Sequence, residues 1–314
     1  MNNARNGVFD VARALCVLYI VAFWHLLNYF PSIKLNGMSL QVCSSITIVV
    51  LGTFTFMSGF FLKKYVIETL DDVKLFYWKR FKRFYIPYLV CLTVLFLGGW
   101  FESGKQFVLS LIGLSTYIGS SPNTVWYFSM LMSFYALTPI LLYLKKRNHF
   151  YFYALTFGLI CLYVLFSRIN GMYFPFYLLG ILITDKRLKV LTSKWIYIIT
   201  FMISFILLLY VQDKWGVGLL ICRYFLIFCG IFLIVKLSQS LCCNASLKFW
   251  NLLAYSSMMA YLYHRIHYKI IGFIISPDGI TSIILFAIMG VISLFLISYW
   301  LQKIYDNFSR KYMG

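Results

Sequence analysis

A chain of 314 residues that is 62% hydrophobic and 20% aromatic, with 12% charged residues and a mean hydropathy of +0.83, excludes a soluble globular domain, where about a quarter of residues carry charge. Its net charge of +19 would suggest nucleic acid in a soluble protein. In so apolar a chain it is first a matter of loop topology, because cytoplasmic loops collect Lys and Arg, and no nucleic-acid partner is expected.

A hydrocarbon core of about 30 Å takes about 20 apolar residues per helix. On that ruler the sequence predicts an all-α, polytopic membrane protein with about ten transmembrane helices in a single domain over 1–314. The spans fall near 11–30, 39–62, 84–101, 124–144, 150–166, 172–184, 195–211, 217–236, 251–275 and 279–302, and the apolar stretch 107–119 reads as re-entrant or interfacial. Loops after even-numbered spans carry Lys63, Lys64, Lys74, Lys79, Arg80, Lys82 and Arg83, then Lys145, Lys146 and Arg147, then Lys186, Arg187, Lys189 and Lys194, then Lys248. Arg5, Lys303, Arg310 and Lys311 flank the two ends, whereas the opposite loops carry Lys34, Lys105, Arg168 and Lys214. The positive-inside rule therefore puts both termini in the cytoplasm. No cleavable signal peptide is expected, since no small-residue cleavage site follows the first apolar run. The eight cysteines, at 16, 43, 91, 161, 222, 229, 242 and 243, lie mostly within apolar runs without metal-ligand spacing, and read as small packing residues.

The first span opens with Asp10 and Arg13 and carries His25 about fifteen residues further in, with Trp24, Asn28 and Tyr29 beside it. An ionisable side chain at that depth is costly in hydrocarbon and usually faces the bundle interior on a proton or substrate path. An imidazole can take a proton from a hydroxyl and return it to a leaving group. Eleven residues separate Arg13 from His25, which is about 18 Å along a regular helix and about 120° around it. A one-residue π-bulge would bring the two onto one face.

Phe54 to Leu62 ends the second span, and its Ser58-Gly59 pair among bulky aromatics permits close backbone approach or a kink. Trp78 to Pro87 leads into the third. Its Arg80 and Arg83, at i and i+3, share a helix face, where they either form bidentate contacts to phosphate or serve as an ordinary basic flank that anchors lipid headgroups. Trp126, Tyr127 and Phe128, followed by Tyr135 and Pro139, set aromatic residues at the outer end of the fourth span, either as an interfacial belt or as a platform for a sugar ring. Tyr261, Tyr263, His264, Arg265 and His267 fall in the middle of the ninth. His264 and His267 lack a carboxylate or cysteine at ligand spacing, so no metal is expected there. The nine acids lie almost wholly in loops or at span ends, which argues against an ion-coupled transporter.

Taken in order, these stretches resemble the membrane acyltransferase-3 family of integral-membrane enzymes that O-acylate surface sugars. The likeness rests on Phe9-Asp10-x-x-Arg13 leading to His25, Ser58-Gly59-Phe60, Arg80-x-x-Arg83, Trp126-Tyr127-Phe128 with Tyr135 and Pro139, Phe176 to Gly180, and Tyr261-Leu-Tyr263-His264. It implies an inner-membrane, multi-pass O-acyltransferase that uses acyl-CoA, by default acetyl-CoA, as co-substrate, with no tightly bound cofactor. Its partners would be a glycan or lipid-linked sugar acceptor and the surrounding membrane lipids. His25, with Arg13 and Asp10, would form the catalytic group. Arg80, Arg83 and Ser58 would bind the donor, its pantetheine arm passing Arg13 to reach His25, while Trp126, Tyr127, Tyr135 and His264 would face the acceptor. The chain departs from the family in spacing, having eleven residues between Arg13 and His25 where the family usually has ten. The rival readings are a polysaccharide exporter or flippase, or a polymerase, without acyl transfer.

Overall fold

The computed structural model describes residues 2–31, 33, 35–118, 125–193, 196–210, 217–242 and 247–313. Of the residues discussed above, Lys34, Lys194, Lys214 and Cys243 lie outside these, and Arg5 is described only in its backbone. Every described element is helical: α1 (Asn2–Val17), α2 (Gly37–Leu62), α3 (Leu70–Arg80), α4 (Ile86–Leu97), α5 (Gly104–Leu111), α6 (Trp126–Arg147), α7 (His149–Phe166), α8 (Arg168–Leu182), α9 (Asp185–Ser193), α10 (Ile196–Tyr210), α11 (Val217–Leu241), α12 (Leu247–Ile274) and α13 (Ile280–Tyr312). The apolar stretches read from the sequence overlap these helices in chain order, the first running from α1 through the segments Leu18–His25 and Leu26–Tyr29. Stretch 107–119, expected to be re-entrant or interfacial, contributes to the short α5.

Among the described residues six helical runs are long and apolar enough to cross a membrane: Gly7–Tyr29, Gly37–Leu62, Trp126–Arg147, His149–Phe166, Gly218–Leu241 and Ile280–Tyr312. A seventh is added if the bent pair 185–192 and 196–209 counts as one span. Helix α12 has the length but carries Lys248, His264, Arg265, His267 and Lys269, while α8 and α10 have 15 residues each, about 22 Å of helix. Outward-facing apolar side chains run along α13 (Ile284, Ile288, Ile292, Leu296, Trp300) and α7 (Phe150, Phe157, Leu165, Phe166). A soluble protein does not leave such continuous apolar faces in water. The chain is a polytopic helical membrane protein.

Two compact units make up the chain. The first comprises residues 1–57 and 183–308. In it α1 packs on α11 and α12, and α11 packs on α10. Glycines set the close approach of α2 to α11: a Cβ on Gly52 would overlap the Ile227 side chain, and one on Gly230 would overlap Val49. Beside them Val49, Leu208, Leu219 and Leu226 form a buried cluster backed by Phe201 and Phe205. Small residues bring helix backbones together where lipid tails remove the hydrophobic incentive to associate.

The second unit comprises residues 58–182 and 309–314. Its centre is aromatic, with Phe134, Tyr163, Phe174 and Tyr177 packed ring on ring. Gly59 fulfils the close approach expected of the Ser58-Gly59 pair, since a Cβ there would overlap the Tyr177 carbonyl oxygen of α8. Outside the apolar helices, α3 starts with a capping box: Thr69 Oγ1 accepts from the Asp72 amide, and the Asp72 carboxylate accepts from the Thr69 amide at 2.9 Å and the Glu68 amide at 3.1 Å. These amides, Thr69 first, hold the Asp72 carboxyl below the usual carboxylate range.

Candidate active site

The interval between Arg13 and His25 is where sequence and structure meet most directly. Helix α1 gives way at Leu18 to a π-helical segment, Leu18–His25, and then to a 3₁₀ turn, Leu26–Tyr29. A π-turn takes in one residue more than an α-turn, so the helical register changes within the interval that carries the additional residue. Tyrosines from neighbouring helices meet this segment. Tyr268 donates to the Val21 carbonyl at 3.2 Å, and Tyr19, on the segment itself, donates to the Cys43 carbonyl of α2 at 2.7 Å. Polar partners of this kind stabilise helix irregularities in an apolar setting, where a freed carbonyl otherwise has no water to bond.

The segment ends on His25, which is 9% exposed. Its Nδ1 lies 2.6 Å from Nε2 of His264 on α12, with the two rings at a 4.6 Å centroid separation and 13° between planes. His264 is fully buried, and its own Nδ1 lies 2.7 Å from the Tyr261 carbonyl. A carbonyl can only accept, so His264 Nδ1 carries the proton and the Nε2 of the neutral ring is an acceptor. That in turn makes His25 Nδ1 the donor and leaves the lone pair on His25 Nε2. One carbonyl on α12 thus fixes both tautomers, and the result is an imidazole base without a hydrogen-bond partner at its basic nitrogen among the described residues.

The resemblance groups His264 with the acceptor-binding residues; in the structure both of its ring nitrogens face protein partners, His25 and the Tyr261 carbonyl. His267 points elsewhere, donating from Nε2 to the Gly290 carbonyl at 3.1 Å and lying 2.9 Å from Ser293 Oγ. His264 and His267 therefore share no ligand position. Arg13 pairs with Asp10 at 3.7 Å across one turn of α1, both side chains being partly exposed, which makes Asp10 the counter-ion of Arg13. Around the histidines stand residues the sequence reading did not assign. Tyr29 donates to the Arg265 carbonyl at 3.1 Å and packs edge-on to Tyr268. The side chain of Arg265 is within electrostatic reach of both histidines.

The second unit holds the basic pair, and the two arginines differ. Arg80 is half-buried, donates from Nη2 to the Tyr65 hydroxyl at 2.9 Å and lies over the rings of Tyr65, Phe76 and Tyr135 at 5.5, 5.9 and 6.0 Å. Arg83 is exposed. A second π-turn, Phe81–Tyr85, begins between them, and it breaks the shared α-helical face that i, i+3 spacing implies. Tyr135 packs against Phe84 as well as Arg80, whereas Trp126 packs against Tyr127 and Tyr173. Nine residues of α6, about 13 Å, separate these groups, so Tyr135 neighbours Arg80 while Trp126 and Tyr127 lie further along the helix. Ser58 sits one residue before the Gly59 contact with α8.

A buried imidazole whose tautomer is fixed from a neighbouring helix is chemically suited to take a proton from a shielded hydroxyl or thiol. The acyltransferase domain family matches residues 6–303, nearly the whole chain, and the protein belongs to that membrane acyltransferase-3 family. It is an acyltransferase, which decides against an exporter or polymerase without acyl transfer. Neither the curated proteins nor the solved structures contain a match.

Proposed function

We propose that the protein is an O-acetyltransferase of the cell inner membrane that moves the acetyl group of cytoplasmic acetyl-CoA to a hydroxyl of a lipid-linked or cell-surface sugar. The observation that carries the reading is the hydrogen-bond relay from the Tyr261 carbonyl through His264 to His25, which leaves His25 Nε2 free to act as a general base. The acceptor hydroxyl gives its proton to His25 Nε2 as its oxygen attacks the thioester carbon. The tetrahedral intermediate then expels the CoA sulfur, which takes the same proton back from His25. A new C–O ester bond replaces the C–S bond, with no net change in charge at the histidine.

On this reading Arg80, caged by aromatic rings and hydrogen-bonded to Tyr65, meets the donor's phosphates together with the exposed Arg83. An oriented guanidinium suits phosphate oxygens better than a mobile one. Arg13, balanced by Asp10, orients the donor on its way to His25. The same reading takes the chain across the membrane ten times with both termini in the cytoplasm, these arginines facing the side where acetyl-CoA is made and Trp126 and Tyr127 the acceptor's side. The test is mass spectrometry of surface glycan from a deletion strain complemented with wild type or with His25→Ala. The proposal requires an acetyl-sized mass to be missing in the deletion and restored by wild type alone. Unchanged glycan in the deletion strain would overturn it.

A further inference from the structure

Among the described residues Arg265 is a cation without a counter-ion. It sits in α12 immediately after His264 and about one turn before the next lysine, Lys269. Among the described residues no carboxylate lies within ion-pair distance of its guanidinium and no acceptor bonds to it, and Nε is buried without a partner. The groups within its electrostatic reach are His25, His264, Tyr29 and Tyr261, all of them neutral in the tautomer scheme above. An arginine at membrane depth is costly and is normally retained with a partner or for a function. By comparison, Arg13 has Asp10, Lys145 donates to the Ile181 carbonyl at 2.7 Å, and Arg80 donates from Nη2 to the Tyr65 hydroxyl.

A negative charge next to His25 is what the site lacks in its resting state and creates during the reaction. Thioester and alcohol are both neutral at the reacting atoms. As the hydroxyl oxygen attacks and His25 Nε2 takes the proton, the carbonyl oxygen becomes an alkoxide. We infer that the guanidinium of Arg265 is the oxyanion-stabilising group of this acyl transfer, a catalytic residue that donates to the acyl oxygen as its charge develops. When the intermediate collapses, the C=O bond re-forms, the C–S bond breaks, the proton on His25 passes to sulfur, and Arg265 is again unpaired. A donor that pairs only with the transition state lowers the barrier without tightening substrate binding. In a site screened from water that stabilisation is larger than in solution. The Tyr29 bond to the Arg265 carbonyl ties this stretch of α12 to the 3₁₀ turn that follows His25, so base and oxyanion donor are held on one framework.

This inference rests on acyl transfer at His25, and the experiment separates the two. Purified wild type, Arg265→Gln, Arg265→Lys, Arg265→Ala and His25→Ala are assayed with radiolabelled acetyl-CoA and membranes of the deletion strain as acceptor. Loss of one oxyanion donor should lower kcat for Arg265→Gln by about 10²- to 10³-fold, with KM for acetyl-CoA within about threefold. Arg265→Lys, which keeps the charge without the fork, should fall between, and added guanidinium ion should partly restore Arg265→Ala. An unchanged kcat in Arg265→Gln, or a raised KM for donor or acceptor membranes at unchanged kcat, overturns the inference. The second of these would mean that Arg265 binds a permanent anion instead. If Arg265→Gln fails to fold, Arg265→Lys with wild-type kcat and no guanidinium rescue of Arg265→Ala overturns it equally. Activity in His25→Ala would sink the general-base reading itself.

Discussion

Replacing His264 by Phe removes the acceptor that holds the proton on His25 Nδ1 while keeping a planar ring of similar volume in a fully buried position. His25 then has two options. It can keep its proton on Nδ1, where an unpaired buried donor costs about 1–3 kcal/mol, or it can move the proton to Nε2 and cease to be a base toward the acceptor. The loss is larger once His25 is protonated in the transition state, because a hydrogen bond to a charged group contributes about 1.5–3 kcal/mol. At about 1.4 kcal/mol per decade, His264→Phe should lower kcat by about 10- to 150-fold with KM for acetyl-CoA nearly unchanged. Gln can present an amide oxygen near the position of the lost Nε2, so His264→Gln should recover a large part of that factor. The assay is steady-state transfer from radiolabelled acetyl-CoA by purified protein in lipid nanodiscs, with folded yield checked by size-exclusion chromatography. Wild-type kcat in well-folded His264→Phe would refute the relay. A raised acceptor KM at full kcat would return His264 to the acceptor site.

Other consequences follow from the second unit. Tyr65→Phe deletes the hydroxyl that receives Arg80 Nη2 and should raise KM for acetyl-CoA about threefold to tenfold at unchanged kcat, whereas Arg83→Ala, at an exposed position, should have the smaller effect. Gly59→Ala drives a methyl group into the backbone carbonyl of Tyr177, an overlap that side-chain rotation cannot relieve; a loss of about 1–3 kcal/mol should appear as a lower thermal midpoint in detergent, and an unchanged midpoint would show that α2 and α8 are less closely packed. Asp72 titrates lower in the folded protein than in the unfolded chain, because the amides of Thr69 and Glu68 bond its carboxylate. The stabilisation it gives the start of α3 is therefore complete above about pH 4, the unfolded carboxyl's range, and is lost as pH falls through its lower folded value. Protection against hydrogen exchange at residues 69–75, taken relative to the intrinsic rate at each pH, should fall in acid in the wild type and be low at every pH in Asp72→Ala.

The apolar stretches were legible because hydropathy alone dictates where a membrane chain becomes helical, and they fall on helices in chain order. The odd spacing of Arg13 and His25 was legible too. One residue too many between two functional positions has few structural outlets, and the π-helical segment at Leu18–His25 is one of them. The role of His264 was not legible, since its partner lies 239 residues away and an isolated membrane histidine gives no sign of whether it meets a ligand or another histidine. The neighbours of Tyr135 were hidden for a related reason. A motif written along the sequence keeps Trp126 and Tyr135 together, whereas the rise of a helix moves them about 13 Å apart and brings Tyr135 to Arg80. What singles out Arg265 is that no described residue serves as its counter-ion, which only a fold can reveal.

The central claim is that His25 Nε2 performs the proton transfer of an acetyl transfer from CoA. Its most direct test is the transfer of radiolabel from acetyl-CoA to acceptor membranes by purified wild type and His25→Ala, with matched folded protein and intact CoA-dependent thermal stabilisation in both. The account predicts label in the acceptor with wild type and none above background with His25→Ala. Equal labelling by the two proteins would contradict it.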